Sequence, residues 1–93
     1  MKIKLTVEFK YDLNDIVDFI SKDKPVTARK FKIELIKMIQ KDLKQPFLFK
    51  KSIYFEDENI RDYVFKGYTV VFKVDEELET VSIVAVLKHR NSL

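Results

Sequence analysis

The chain has 93 residues, 46% of them apolar, with no cysteine, one histidine and one glycine. That composition supports one thin-cored domain over residues 1–93, and it excludes disulfide frameworks, thiolate metal sites and glycine-rich phosphate loops. The formal net charge is +3, yet ten basic residues against three acidic ones fall between Lys22 and Lys51.

Taken in chain order, Ile3, Leu5, Val7 and Phe9 alternate with Lys2, Lys4, Thr6, Glu8 and Lys10. This period of two predicts a strand with one wet face. With no continuous apolar run there, neither a signal peptide nor a membrane span is expected, and a cytoplasmic protein follows. The period then changes: Leu13, Ile16, Val17 and Ile20 form one helical stripe, with Asp12 placed to cap its start.

Ser21-Lys22-Asp23-Lys24 makes a polar break. Pro25 suits the first turn of a second helix, where a missing N–H costs nothing. Ala28, Phe31, Leu35, Met38 and Ile39 form its apolar stripe, and Ile33, Ile36 and Leu43 widen it. Pro46 should stop the helix near Gln45, and the short break predicts an antiparallel helical hairpin.

The second half reads as strands at Ile60 to Phe65, Tyr68 to Val74 and Thr80 to Lys88. Lys66-Gly67 fits a two-residue type I′ turn. Asp75 to Glu79 is a polar hairpin loop, and Phe47 to Phe55 is an aromatic, basic linker with no assigned structure. The expected fold is α+β in the order β-α-α-β-β-β, a helical hairpin packed on a mostly antiparallel four-stranded sheet.

The basic segment supplies candidate binding residues for nucleic acid or an acidic polypeptide: Arg29, Lys30, Lys37, Lys41, Lys44, Lys50 and Lys51. No cofactor or metal is expected, since one histidine and no cysteine leave only carboxylates, and the acidic clusters lack calcium-loop spacing. Ser82 and Ser92 carry no nucleophile signature, and nothing points to a small-molecule substrate.

Asp15-x-x-Asp18-Phe19-Ile20, then Asp23-Lys24-Pro25 with Ala28 and Phe31, then Asn59-Ile60-Arg61-Asp62-Tyr63, Lys66-Gly67-Tyr68-Thr69-Val70-Val71-Phe72 and a last strand into Lys88-His89-Arg90 occur in an order that resembles the RelE/ParE toxins of type II toxin–antitoxin modules. The similarity covers nearly the whole chain. It implies a cognate antitoxin as partner and one of two actions. A ParE-like toxin binds DNA gyrase and stalls it on cleaved DNA without covalent chemistry of its own. The long lysine-rich second helix looks more like this branch.

A RelE-like toxin instead cleaves mRNA on the ribosome, by attack of a 2′-hydroxyl on its neighbouring phosphate. That step needs a base, an acid and cations for the developing charge. The candidates are Arg61, His89 and Arg90, with Glu56 or Glu58 as base, and Tyr63 and Tyr68 as stacking platforms. Many relatives carry arginine where this chain has Thr69, a departure that weakens the nuclease branch and leaves a non-toxic member as a third possibility.

Overall fold

The computed structural model describes residues 1–88. Strand β1 is Lys2–Leu5, followed by helices α1 (Val7–Ser21) and α2 (Pro25–Asp42). A 3₁₀ turn over Pro46–Leu48 leads to strands β2 (Ile60–Phe65), β3 (Tyr68–Asp75) and β4 (Thr80–Lys88). The sheet order is β1-β4-β3-β2, with β1 parallel to β4 and the other pairs antiparallel. The helical hairpin thus carries the chain from one sheet edge to the other.

The first strand is shorter than its alternation suggests, and α1 starts one and a half turns early. Thr6, not Asp12, is the N-cap. Its hydroxyl accepts from the Phe9 N–H at 3.2 Å and donates to the Ile83 carbonyl at 2.6 Å. Phe9 then falls at i−4 from Leu13, so one core-facing stripe runs from buried Phe9 and Leu13 to half-buried Ile16, Val17 and Ile20. Val7 points to solvent. Four residues suffice to pair β1 with Thr80 to Ile83. Beyond them α1 itself serves β4: the Asp12 carboxylate accepts from the Val86 N–H at 3.1 Å.

Helix α2 buries Ala28, Phe31, Leu35 and Ile39 and leaves Met38 half-buried and Ile33 exposed. It ends three residues before the expected Gln45, with Leu43 at the C-cap, and Pro46 opens the 3₁₀ turn. Phe31, Leu35, Ile39 and Leu43 meet Val70, Phe72, Val74, Val81, Ile83 and Val86 in one core. Burying these side chains contributes about 2 kcal/mol each before the opposing loss of chain entropy. Phe31 also packs on Tyr68 at 5.1 Å between ring centroids and on Phe65 at 5.8 Å.

The two-residue turn has the expected geometry, with φ of 47° at Lys66 and 82° at Gly67. Between β3 and β4 the register shifts at Val71/Phe72: Val71 faces Ala85, Phe72 faces Ile83, and Val84 is the extra residue of a bulge.

Candidate functional site

The chemistry-bearing residues fall on three surfaces. The first is the outer face of α2. The stripe that buries Ala28, Phe31, Leu35 and Ile39 turns the opposite side outward, where Arg29, Lys30, Lys37, Gln40 and Lys41 are exposed, followed by Lys44 beyond the cap. Helix periodicity alone gathers them. Both carboxylates of α2 are engaged by β2 and its turn. Lys66 pairs with Glu34 and holds that carboxyl below its usual range, with smaller help from Lys30 and Lys37. Asp42 accepts from the Tyr63 hydroxyl at 2.8 Å.

Burial, and then that bond, push the Tyr63 hydroxyl up to about 12. Tyr63 is 9% exposed, stacked beside Phe65 and edge-on to Phe49 at 5.3 Å. Both tyrosines offered by the sequence as base-stacking platforms are thereby packing residues, since Tyr68 sits on Phe31.

The second surface is the β2 edge, which the linker of residues 47–55 wraps. The backbone of Lys51 pairs antiparallel with that of Arg61: the Ser52 N–H donates to the Ile60 carbonyl at 2.8 Å, and the Asp62 N–H to the Lys50 carbonyl at 3.1 Å. Arg61 lies opposite Phe72 and shares its helix-covered face. Its guanidinium donates to the Phe49 carbonyl at 2.7 Å and sits 4.8 Å over the Phe47 ring. Its neighbour Asp62 points to the other face and accepts from the Ile53 N–H at 3.2 Å. Arg61 and Asp62 are therefore clamps on the linker. No sequence signal marks this role, because the contact partners are backbone groups of a segment without periodicity.

The third surface is the sheet face away from the helices. Thr69 is 3% exposed there, at the back of a cleft lined by Leu48, Ile53, Tyr54 and Val64. Further along, the register sets Lys4 and Lys73 on either side of Ser82. Lys4, Lys73 and Ser82 form a cross-strand row that sequence reasoning missed, since the parallel β1–β4 pairing carries no local signal.

Of the nuclease candidates, Glu58 pairs with Lys51 at 3.2 Å and Glu56 is exposed in the linker region. His89, Arg90 and Ser92 lie outside the described residues. Among the described residues no three His, Asp or Glu side chains gather as a metal site, and no helix is long and apolar enough to cross a membrane.

Residues 3–93 match the family model described as the ParE toxin of the type II toxin–antitoxin system parDE. The fold is similar to a chromosomal ParDE toxin–antitoxin system from P. aeruginosa, at a TM-score of 0.77 and 19% identity over 97% of both chains. It is also similar to the RelBE2 toxin–antitoxin complex from Mycobacterium tuberculosis, at 0.65 and 21% over 96% of both. The isolated E. coli RelE toxin gives 0.57 and 14%, over 98% of this chain and 86% of that one. No curated protein matches the chain in sequence.

Proposed function

The chain belongs to the ParE toxin family of type II toxin–antitoxin systems, and from that premise we propose that it arrests growth in the cytoplasm by binding DNA gyrase. A cognate antitoxin neutralises it by covering the same surfaces. The toxin needs no covalent chemistry of its own: it acts as a wedge that holds gyrase on cleaved DNA.

The observation that carries this reading is the outer face of α2, where Arg29, Lys30, Lys37, Lys41 and Lys44 stand exposed while both α2 carboxylates are engaged elsewhere. With Lys50 and Lys51 on the adjoining linker, they make a basic surface suited to an acidic partner or to DNA held by an enzyme. Support also comes from Arg61. As a clamp on Phe47 and Phe49, on the helix-covered face, it is poorly placed to meet a scissile phosphate.

The second reading, cleavage of mRNA on the ribosome, draws on one observation. Lys4 and Lys73 flank Ser82 on the open sheet face, where two cations on the same strand row suit a phosphodiester.

A supercoiling assay with purified gyrase, run beside primer extension on translated mRNA, separates the two. Inhibition of supercoiling with uncut mRNA is the expected result. Codon-positioned cuts would transfer the assignment to the nuclease reading, and silence in both assays would mark a family member without toxicity.

A further inference from the structure

We infer that the outer face of α2 is a binding ridge for the phosphate backbone of duplex DNA, engaged by the toxin directly and without gyrase. This goes beyond the target reading above, because it assigns DNA itself as a ligand of Lys30, Lys37, Lys41 and Lys44.

The ridge follows from helix geometry. At 100° per residue, Lys30, Lys37 and Lys41 fall within about 40° of one another, and they span about 16 Å of axis. Lys44 follows, exposed, in the turn just beyond the Leu43 cap. All four are exposed, and none makes an ion pair among the described residues, whose two ion pairs are Lys51–Glu58 and Lys66–Glu34. The second pair matters here. Glu34 is the α2 acid that helix periodicity sets beside the ridge, and Lys66 reaches across from the β2–β3 turn to pair with it. The other α2 carboxylate, Asp42, is turned to Tyr63. The lysine charge is left without an ion-pair partner along the helix.

Three features favour duplex DNA over other polyanions. A duplex strand presents a phosphate about every 3.4 Å of axis, so a 16 Å ridge lies beside roughly five of them. Single strands are held by stacking on exposed aromatic rings, and the only aromatic of α2, Phe31, is buried in the core. An acidic polypeptide needs apolar anchors at the centre of its footprint. Exposed Ile33 lies between Lys30 and Lys37 and Val26 before them, but from Lys37 to Lys44, where three of the four lysines stand, the outer face offers only Gln40.

The test is fluorescence anisotropy of a labelled 20-base-pair duplex with the purified protein alone, between 50 and 200 mM KCl. Three to four phosphate contacts predict a slope of log K against log salt of about −3, or roughly 60-fold weaker binding across that range. Lys37→Gln with Lys41→Gln should flatten the slope to about −1, at an unchanged melting temperature because both side chains are exposed. Lys37→Arg with Lys41→Arg should restore it.

No salt-dependent binding, or a slope indifferent to the glutamine pair, would overturn the inference. So would a single strand of the same sequence, or a 20-residue polyglutamate, binding as tightly as the duplex. A protein that inhibits gyrase yet ignores the duplex refutes this inference and leaves the target reading standing; duplex binding without gyrase inhibition does the reverse.

Discussion

Replacing Tyr63 by phenylalanine removes one hydroxyl and nothing else from the joint between α2 and the sheet. That hydroxyl donates to the Asp42 carboxylate at 2.8 Å, in a site where Tyr63 is 9% exposed. A hydrogen bond to a charged group is worth about 1.5–3 kcal/mol. Asp42 is half-exposed and regains a water, so Tyr63→Phe should cost between about 1 and 2 kcal/mol near neutral pH.

The cost depends on pH. Burial first, and the Asp42 bond second, raise the hydroxyl from 10 in the unfolded chain to about 12 in the folded one. Because the folded value is the higher, the stabilisation is complete below pH 10 and is lost as pH climbs through 12. Every pH unit between the unfolded and folded values corresponds to about 1.4 kcal/mol, so linkage removes roughly 2 kcal/mol by pH 12. The advantage of tyrosine over phenylalanine should therefore vanish between about pH 11 and 12. Above that the ionised phenol, largely buried and facing the Asp42 carboxylate, is a liability.

Urea unfolding of both proteins from pH 8 to 12 reads this directly, because the titration of every other group cancels in the difference. In thermal melts at pH 8 the variant should unfold about 4–16 °C lower. Equal stabilities at pH 8, or a gap that stays constant to pH 12, would refute the role given to this bond.

Thr6→Ala removes both the cap on Phe9 and the bond to the Ile83 carbonyl; thermal melts should show a loss of about 1–2 kcal/mol, with Thr6→Ser recovering most of it. At Gly67, where φ is 82° and a Cβ would meet open space, alanine should cost about 1 kcal/mol through backbone strain alone and asparagine less, as measured by chemical denaturation. Arg61→Ala should free the linker: amide exchange at residues 47–55 should rise while the helices keep their protection. Growth arrest by that variant, scaled to its soluble amount, should persist, and its abolition would favour the nuclease reading.

Periodicity was enough to place α2, the end of α1 and the three later strands to within a few residues. Apolar spacing and turn chemistry are local, and Lys66-Gly67 in particular left the β2–β3 turn only one favoured geometry. The same alternation misled at the start. Val7 and Phe9 satisfy period two with Ile3 and Leu5, while Phe9 satisfies the helical period with Leu13. What decides is Thr6, whose hydroxyl ends the strand by bonding β4 and starts the helix by capping it. Its partner carbonyl, on Ile83, lies 77 residues away.

The basic composition of α2 was likewise readable, but the way its two acids are drawn off by Lys66 and Tyr63 was not. Arg61 shows the limit most clearly. Its residue type invites a phosphate-binding role, and only the fold sets it opposite Phe72, under the linker, with its guanidinium on the Phe49 carbonyl. Sequence by itself determined the order of elements and the charge they carry, because those depend on neighbours within a turn or two. Tertiary structure alone decided which cations are consumed as clamps and which remain free on a surface, since that depends on partners brought together by sheet register and not by spacing along the chain.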